Sequence, residues 1–379
     1  MRKIKLMTLL GTRPEIIRLS AVIKKCDQFF DQILVHTGQN YDYTLNGIFF
    51  KDLDLRAPDY YLDAVGADLG ETIGNIIAKS YRLMQELQPD ALLVLGDTNS
   101  CLAAISAKRL HIPIFHMEAG NRCFDECLPE ETNRRIVDHI ADVNLCYSEH
   151  ARRYLNAEGV ARERTYVTGS PMAEVLRANL PAIERSDVLQ RLGLAPRYYI
   201  LLSAHREENI DTDENFQALF NSVNALARKY DLPILYSCHP RSRKRLEQMN
   251  FNLDERVQLH EPLGFHDYNN LQMNAYCVVS DSGTLPEESA FFAGAGHPFP
   301  AVCIRTSTER PEAMEKGCFI LAGITPGGVE QAVQTAVELQ ENGDFGLPVP
   351  DYTEDVSVKV VKLIQSYVGV VNTMVWRKR

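Results

Sequence analysis

The stretch Ile4-Lys5-Leu6-Met7-Thr8-Leu9-Leu10-Gly11-Thr12-Arg13-Pro14-Glu15 decides the fold class at the start of the chain. Its first seven residues are mostly aliphatic and end at a glycine, a pattern that predicts a buried strand. Proline is favoured at the first position of a helix, so we expect a helix to begin close to Pro14. The backbone N–H groups at its start would face a ligand, and Arg13 would add a positive charge for a phosphate. An ordinary turn between strand and helix is the alternative interpretation.

Runs of this kind recur along the sequence, separated by segments with helical periodicity such as residues 70–87. The first series covers residues 4–10, 32–37, 91–95, 112–116 and 143–147, and the second covers residues 199–204, 233–238, 257–259, 276–280 and 300–304. Alternating strands and helices predict parallel sheets with right-handed crossovers. We therefore expect an α/β protein of two Rossmann-like parallel-sheet domains that face a cleft. The expected boundaries are 1–170 and 171–356, with a C-terminal helix at 357–379 packing back on the first domain.

The composition of the 379-residue chain argues against several protein classes. A hydrophobic fraction of 45% is sufficient for two cores, and a net charge of −10 disfavours general binding to nucleic acid or to an anionic membrane. No apolar stretch reaches 18 residues, and the N-terminus enters a strand rather than a signal-peptide core. The nine cysteines include no C-x-x-C pair. These features predict a cytoplasmic protein with reduced cysteines; a metal or redox pair at Cys123 and Cys127 is the alternative.

A second phosphate-binding loop is predicted in the C-terminal half. Asp281-Ser282-Gly283-Thr284 follows an apolar run and precedes Pro286-Glu287-Glu288, which favours the start of a helix. Ser282, Gly283 and Thr284 are therefore candidates to hold a diphosphate at a helix N-terminus. Glu288 is a candidate to accept the hydroxyl groups of a ribose, as acidic residues do in nucleotide sites. The alternative for Glu288 is a carboxylate that only stabilises the helix terminus.

Four titratable residues complete the candidate site. Asp97, Glu118 and Glu130 follow apolar runs of the first half, and His205 follows one in the second. Three carboxylates and an imidazole can remove and return protons if their environments separate their pKa values. Each residue also has a structural interpretation, such as a helix cap for Asp97 or a first-turn carboxylate for Glu130.

Two features that the sequence lacks narrow the chemistry further. No G-x-G-x-x-G follows an apolar run, so a bound nicotinamide or flavin dinucleotide is not indicated. The histidines show no pair at metal-ligand spacing on one helix face. We therefore expect neither a catalytic metal nor a cofactor.

The motifs together resemble the non-hydrolysing UDP-N-acetylglucosamine 2-epimerase family. That family is characterised by G-T-R-P-E, G-D-T, H-x-E-A-G, P-E-E-x-N-R, H-R-x-E, D-S-G and T-E-R-P-E, and all of them occur here in the same order. The resemblance implies a glycosyltransferase-B fold, a homodimer and a UDP-sugar substrate. It also implies a reaction without nicotinamide, in which UDP is eliminated as a proton leaves C2, giving a 2-acetamidoglycal, and then adds back.

The resemblance assigns roles to individual residues. It places Asp97, Glu118, Glu130 and His205 in the catalytic set, and around UDP and the sugar it places Arg13, Arg18, His239, Ser282, Gly283, Thr284, Glu288 and Arg310. Departures from the usual glucosamine motifs, namely Arg18, Glu207 and Thr306 where Lys, Arg and Asp are usual, suggest a different sugar.

The residues within the motifs are most similar to those of the capsule and O-antigen branch of the family. That branch interconverts UDP-2-acetamido-2,6-dideoxy-L-talose and UDP-N-acetyl-L-fucosamine. Epimerisation between UDP-N-acetylglucosamine and UDP-N-acetylmannosamine is the alternative. A UDP-sugar glycosyltransferase of the same fold and a catalytically silent nucleotide-sugar sensor are the rival classes.

Overall fold

The computed structural model describes residues 2–38, 48–126, 128–210, 212–352 and 355–378. The chain divides into two compact units. Unit 1 comprises Met1–Val175 together with Asp351–Arg379, and unit 2 comprises Leu176–Pro350. The units divide after Val175 and before Asp351, where the sequence analysis had placed the boundaries at 170 and 356. Cys127 lies outside the described residues, as do residues 39–47.

Unit 1 is built on one parallel sheet. Its strands are β1 (Lys5–Leu10), β2 (Asp31–His36), β3 (Tyr60–Tyr61), β4 (Ala91–Leu95), β5 (Ile114–Met117), β6 (Val143–Cys146) and β7 (Thr165–Val167), in the order β3-β2-β1-β4-β5-β6-β7. Its helices up to the division are α1 (Arg13–Phe29), α2 (Ile48–Asp52), α3 (Leu69–Leu87), α4 (Ala103–Arg109), α5 (Pro129–Ile140) and α6 (Glu149–Ala157), and α7 (Met172–Glu184) spans the division. The buried core includes Leu9, Val35, Leu92 and Ile114.

Unit 2 repeats this design with a second parallel sheet. Its strands are β8 (Ile200–Ser203), β9 (Ile234–Ser237), β10 (Val257–His260), β11 (Cys277–Ser280), β12 (Ala301–Cys303) and β13 (Ile320–Leu321), in the order β10-β9-β8-β11-β12-β13. Its helices are α8 (Val188–Leu192), α9 (Glu207–Ile210), α10 (Asp213–Tyr230), α11 (Pro240–Gln248), α12 (Phe265–Asn274), α13 (Leu285–Gly294), α14 (Pro311–Glu315) and α15 (Pro326–Glu341). The chain then returns to unit 1 with α16 (Val356–Met374), which packs against α1.

The predicted class, two parallel-sheet α/β domains, is confirmed. In both sheets the strand order reverses beside the first strand of the unit, so that β1 lies between β2 and β4 and β8 lies between β9 and β11. Ligands of open α/β sheets bind outside the carboxyl ends of strands at such points. The loops after these strands are therefore the parts of each unit where a ligand is expected to bind.

The structure also contains elements that the apolar runs did not predict. The sheet-edge strands β3, β7 and β13 are two or three residues long, too short to produce a readable period. A short helix, α9, also lies outside the apolar runs. No helix in the described part of the chain combines the length and apolar character that crossing a membrane requires.

Candidate functional site

In unit 1, Glu15 joins the loops that follow β1 and β4. Its buried carboxylate accepts hydrogen bonds from the Gly11 backbone N–H at 3.1 Å, the Thr12 hydroxyl at 2.8 Å and the Thr98 hydroxyl at 3.0 Å, and it also contacts Ser100. Burial raises the pKa of Glu15, and these hydrogen bonds oppose that rise. The two loops come together because β1 and β4 are neighbours in the sheet.

Glu118, at the end of β5, pairs with Arg18 of α1. The Arg18 Nη1 atom lies 2.9 Å from Glu118 Oε2, and both side chains are buried. Glu118 has a φ of +62°, and Gly96 in the adjacent loop has a φ of +72°. A Cβ atom on Gly96 would lie 3.2 Å from Glu118 Oε2, so a glycine leaves room for the carboxylate there. The structure thus brings together two predicted site residues 100 positions apart.

Asp97 forms an ion pair with Arg134 of α5. The first turn of this helix carries two glutamates in different environments. Glu131 is buried and lies 3.3 Å from Arg134 Nη1. Glu130, the predicted catalytic residue, is half-buried and makes no ion pair with the described residues. The two neighbours differ because adjacent positions of a helix point in different directions.

A buried polar network lies beside the loops that follow β4 and β5. His116 places Nε2 at 2.8 Å from the Gly96 carbonyl oxygen and Nδ1 at 2.9 Å from Asp138 Oδ1. Asp138 also accepts from the Gly120 backbone N–H at 3.2 Å and from Arg122 Nη1 at 2.7 Å. Burial would raise the pKa of Asp138, but the hydrogen bond and charge of His116, with Arg122, lower it overall. The network fixes the loops after β4 and β5 to one another.

Arg13 begins α1, as the position of Pro14 predicted. Its guanidinium carbon lies 5.6 Å from the centre of the Phe49 ring, a distance that allows a cation–π interaction. Arg13 is half-buried, so part of its side chain is accessible to a ligand.

In unit 2, His205 is oriented by the buried Asp281. His205 Nδ1 lies 3.2 Å from Asp281 Oδ1, and the His205 backbone N–H donates to Asp281 Oδ2 at 2.9 Å. The same carboxylate oxygen accepts from the Arg206 backbone N–H at 2.9 Å and from Asn209 Nδ2 at 3.1 Å. The arrangement is possible because β8 and β11 are paired, which places the loops after them side by side.

Ser282, Gly283 and Thr284, the candidates for a phosphate-binding loop, lie in the turn between β11 and α13. The hydroxyl oxygens of Ser282 and Thr284 are 2.9 Å apart, and the Thr284 backbone N–H donates to Ser282 Oγ at 3.3 Å. A Cβ atom on Gly283 would lie 3.2 Å from Arg206 Nη2, so a guanidinium approaches this turn closely. The turn therefore combines the start of a ten-residue helix with a nearby positive charge.

Three further predicted residues of unit 2 each contact a different partner. Glu288 is buried and accepts from Gln272 Nε2 at 2.7 Å. Arg310 is buried at the start of α14, where Nη2 lies 3.4 Å from Glu287 Oε2. His239 caps α11, and its Nδ1 accepts from the Arg241 backbone N–H at 3.3 Å.

Arg305 and Glu309, which the sequence had not singled out as site residues, form a buried two-pronged ion pair at 2.9 and 3.0 Å.

Sequence reasoning missed residues that hold in place the predicted ones or the loops that carry them. These are Glu15, Glu131, Arg134 and Asp281. All four lie inside the quoted motifs, so the signal was present, but the motifs do not reveal which side chains pair. Of the predicted set, unit 1 holds Arg13, Arg18, Asp97, Glu118 and Glu130, and unit 2 holds His205, His239, Ser282, Gly283, Thr284, Glu288 and Arg310.

Each unit, taken by itself, holds groups that are suited to acid–base chemistry. Unit 1 offers carboxylates that are held by arginines, and unit 2 offers an imidazole held by a carboxylate. Positioned groups of this kind transfer protons to and from a substrate. Within the described ranges, no group of three histidine, cysteine or acidic side chains could hold a metal ion.

A family model described as UDP-N-acetylglucosamine 2-epimerase matches residues 24–364. The chain belongs to this family, so the resemblance expected from the motifs is confirmed at family level. The protein is an isomerase, a UDP-sugar 2-epimerase.

Individual relatives share the full architecture. A structure of UDP-N-acetylglucosamine 2-epimerase from Rickettsia bellii is 45% identical, with a TM-score of 0.92 and both chains covered completely. The Methanocaldococcus jannaschii UDP-GlcNAc 2-epimerase, crystallised in complex with UDP-GlcNAc and UDP, is 30% identical, with a TM-score of 0.88 over 96% of this chain and 99% of that chain. The UDP-2,3-diacetamido-2,3-dideoxy-D-glucuronate 2-epimerase of Pseudomonas aeruginosa is 31% identical over 90% of this chain and 95% of that protein.

Proposed function

We propose that the protein inverts C2 of a UDP-linked 2-acetamido sugar by eliminating UDP and adding it back. A proton leaves C2, the bond from C1 to the phosphate oxygen breaks with its electron pair passing to UDP, and a 2-acetamidoglycal forms. A proton then reaches C2 from the opposite face, and the UDP oxygen bonds to C1 again. The observation that carries this proposal is the pairing of Glu118 with Arg18 and of Asp97 with Arg134 at one sheet edge.

In this proposal each unit supplies both proton-transfer and binding residues. Asp97, Glu118 and Glu130 of unit 1 and His205 of unit 2 transfer protons, and His205 is kept in one orientation by Asp281. The residues proposed to bind UDP and the sugar are Arg13, Arg18, His239, Ser282, Gly283, Thr284, Glu288 and Arg310. Helix N-termini and arginines stabilise the negative charge that the departing diphosphate develops, which makes UDP a better leaving group.

We further propose that the sugar is 6-deoxygenated and that the reaction converts UDP-2-acetamido-2,6-dideoxy-L-talose to UDP-N-acetyl-L-fucosamine for capsule or O-antigen synthesis. Arg18 supports this, because it stands where glucosamine enzymes usually carry lysine and is buried against Glu118. The Pseudomonas aeruginosa relative is named for another UDP-sugar, which is consistent with substrate variation within the family. UDP-N-acetylglucosamine is the alternative substrate, and the names of the Rickettsia bellii and Methanocaldococcus jannaschii relatives favour it.

Proton NMR of the purified protein in D2O tests both the elimination mechanism and the identity of the sugar. With the 6-deoxy-L-talosamine nucleotide we expect the C2 epimer with deuterium at C2, and with UDP-N-acetylglucosamine we expect much slower turnover. A site shaped for a 6-methyl group need not hydrogen-bond a 6-hydroxyl, whose burial without a partner is costly. Retention of the original hydrogen, or dependence on added NAD, contradicts elimination. Equal or faster turnover of UDP-N-acetylglucosamine contradicts only the choice of sugar.

We propose that the protein works as a homodimer in the cytoplasm. Tyr61, Val65 and Leu69, on and after the edge strand β3, are exposed apolar side chains of unit 1 that a partner copy could cover. The described cysteines are all free thiols, as the reduced cytoplasm maintains them. Light scattering coupled to size-exclusion chromatography should give twice the chain mass of 42.8 kDa, and Leu69→Glu should shift the protein toward monomer. A monomeric wild type contradicts the dimer.

A further inference from the structure

We propose that Arg134, itself held by Glu131, is the positioning residue that fixes Asp97 for proton transfer. The inference rests on the proposed function, because Asp97 is there a catalytic residue. We call the pair of Arg134 and Glu131 the clamp. Neither belongs to the catalytic or binding set expected from the sequence.

Arg134 connects three segments of unit 1. From α5, its Nη2 donates to the Asp97 carboxylate after β4, and its Nη1 donates to the Asn121 carbonyl oxygen after β5 at 3.0 Å. The same Nη1 lies 3.3 Å from Glu131 Oε2. A guanidinium has a rigid planar set of donors, so its contacts with Asn121 and Glu131 fix the direction in which it meets Asp97.

Glu131, which contacts the Arg134 guanidinium, is itself held by further contacts. Its Oε2 also accepts from the Cys123 backbone N–H at 3.3 Å, and its Oε1 lies 3.2 Å from Arg135 Nη2. The Glu131 side chain is only 1% exposed and that of Arg134 only 2%. A buried charge without a partner is strongly destabilising, so the ion pair within the clamp helps to stabilise both of its buried members.

Asp97 differs from the clamp in its access to solvent. Its side chain is 18% exposed, whereas the guanidinium that holds it is enclosed. The helix also holds the backbone of the loop, because Asn133 Nδ2 donates to the Asp97 carbonyl oxygen at 3.0 Å. Asp97 is therefore the one of the three charged groups that a substrate can reach, and Arg134 acts through it.

The chemical consequence is an ionised and oriented Asp97. A nearby positive charge favours the ionised form of a carboxyl group, and arginine stays protonated at every pH of interest. Without the guanidinium, Asp97 would take up a proton at higher pH and would rotate more freely. An acid–base step that needs the ionised carboxylate would then lose activity first at low pH.

The test compares Arg134→Met with Arg134→Lys in the full-length protein, using the UDP-sugar that the wild type epimerises. In Arg134→Met we expect kcat to fall about tenfold to a hundredfold with little change in KM. In the pH profile of kcat, we expect the acid limb to move to higher pH by about 1–3 units. Arg134→Lys keeps the charge, so the limb should move less. Glu131→Gln leaves the guanidinium charge in place and removes only a contact that orients it, so it should lower kcat without moving the acid limb upward. Arg56→Met is the control, because Arg56 pairs with Asp27 and Asp59 away from the site.

Two further comparisons decide between positioning and mere structural support. In an Asp97→Asn background, Arg134→Met should cause no additional loss of kcat, whereas a collapsed site would lose more. An unmoved acid limb in soluble, folded Arg134→Met overturns the proposal; if that variant does not fold, an unmoved limb in Arg134→Lys together with an unchanged kcat in Glu131→Gln overturns it instead. If the wild type turns over no UDP-sugar, the proposed function fails. The clamp is then tested by a double-mutant cycle of urea unfolding, in which strict additivity of Asp97→Asn and Arg134→Met overturns it.

Discussion

At the scale of single residues, burial decides the protonation of His36. This histidine ends β2 and is 2% exposed, and its Nδ1 accepts a hydrogen bond from the Gly38 backbone N–H at 2.9 Å. The accepting nitrogen carries no proton, so the ring is neutral in this arrangement. Burial lowers the pKa of His36 to about 4.

The low pKa of His36 predicts a loss of stability in mild acid. Between about pH 6.5 and pH 4 the unfolded chain binds a proton at this position and the folded chain does not, so stability falls as the pH falls through that window. The loss reaches roughly 3 kcal/mol near pH 4. Urea unfolding at several pH values should show a smaller decrease for His36→Asn, which can retain an acceptor for Gly38. The half-exposed His260, changed to Asn, is the control and should follow the wild type. Equal decreases in all three proteins contradict this prediction.

At the scale of elements, the loop after β5 depends on backbone conformations that most residues avoid. Glu118 and Gly120 have φ values of +62° and +80°. Helix α6 also packs directly on Gly120: a Cβ atom there would collide with the Ala151 carbonyl oxygen and lie 2.8 Å from Leu155 Cγ. The conformation and the close approach of the helix both require glycine at position 120.

A matched pair of glycine substitutions separates these two requirements. Gly159 has a similar φ of +83° but no atom within 4 Å of an added Cβ. Gly159→Ala should therefore cost about 1–2 kcal/mol from the backbone alone. Gly120→Ala should cost about 1–3 kcal/mol more, because it also forces α6 away from the loop. Urea unfolding measures both losses, and equal values for the two variants would show that the helix moves without cost.

At the scale of the whole molecule, the chain passes from unit 1 to unit 2 and then returns. The returning helix α16 buries Val360, Ile364, Val368 and Val371 and packs against α1. Its beginning is anchored in unit 1 as well, since the Ser357 backbone N–H donates to Glu174 Oε2 at 2.8 Å. The last helix of the sequence thus completes the core of the first unit.

This connection predicts where a change in α16 is felt. Ile364→Ala removes a fully buried side chain and should destabilise unit 1 by about 2–5 kcal/mol. Hydrogen exchange followed by mass spectrometry should show faster exchange in the strands of unit 1 and unchanged exchange in those of unit 2. Val370→Ala, on the same helix at a position that is 44% exposed, should have little effect. Equal acceleration in both units would contradict the assignment of α16 to unit 1.

Much of this organisation could be predicted from the sequence because it depends on local patterns. Apolar runs of strand length, segments with helical period and Pro14 after Gly11 are properties of neighbouring residues, and the structure confirms the α/β class and the start of α1. The motifs predicted the family, which the match of the family model confirms, for a similar reason, since their order along the chain is itself sequence information. The edge strands β3, β7 and β13 could not be predicted, because neighbouring strands rather than their own residues define them.

The sequence by itself determined the alternation of strands and helices, the positions of the chemical groups along the chain and the family. Only the tertiary structure decided which of these groups touch. Arg18 and Glu118 are 100 positions apart, Asp97 and Arg134 are 37 apart, and His205 and Asp281 are 76 apart. Such pairs form because the order of strands in each sheet places particular loops side by side, and no local period contains that order. The contrast between buried Glu131 and half-buried Glu130 has the same origin, because it depends on what α5 packs against.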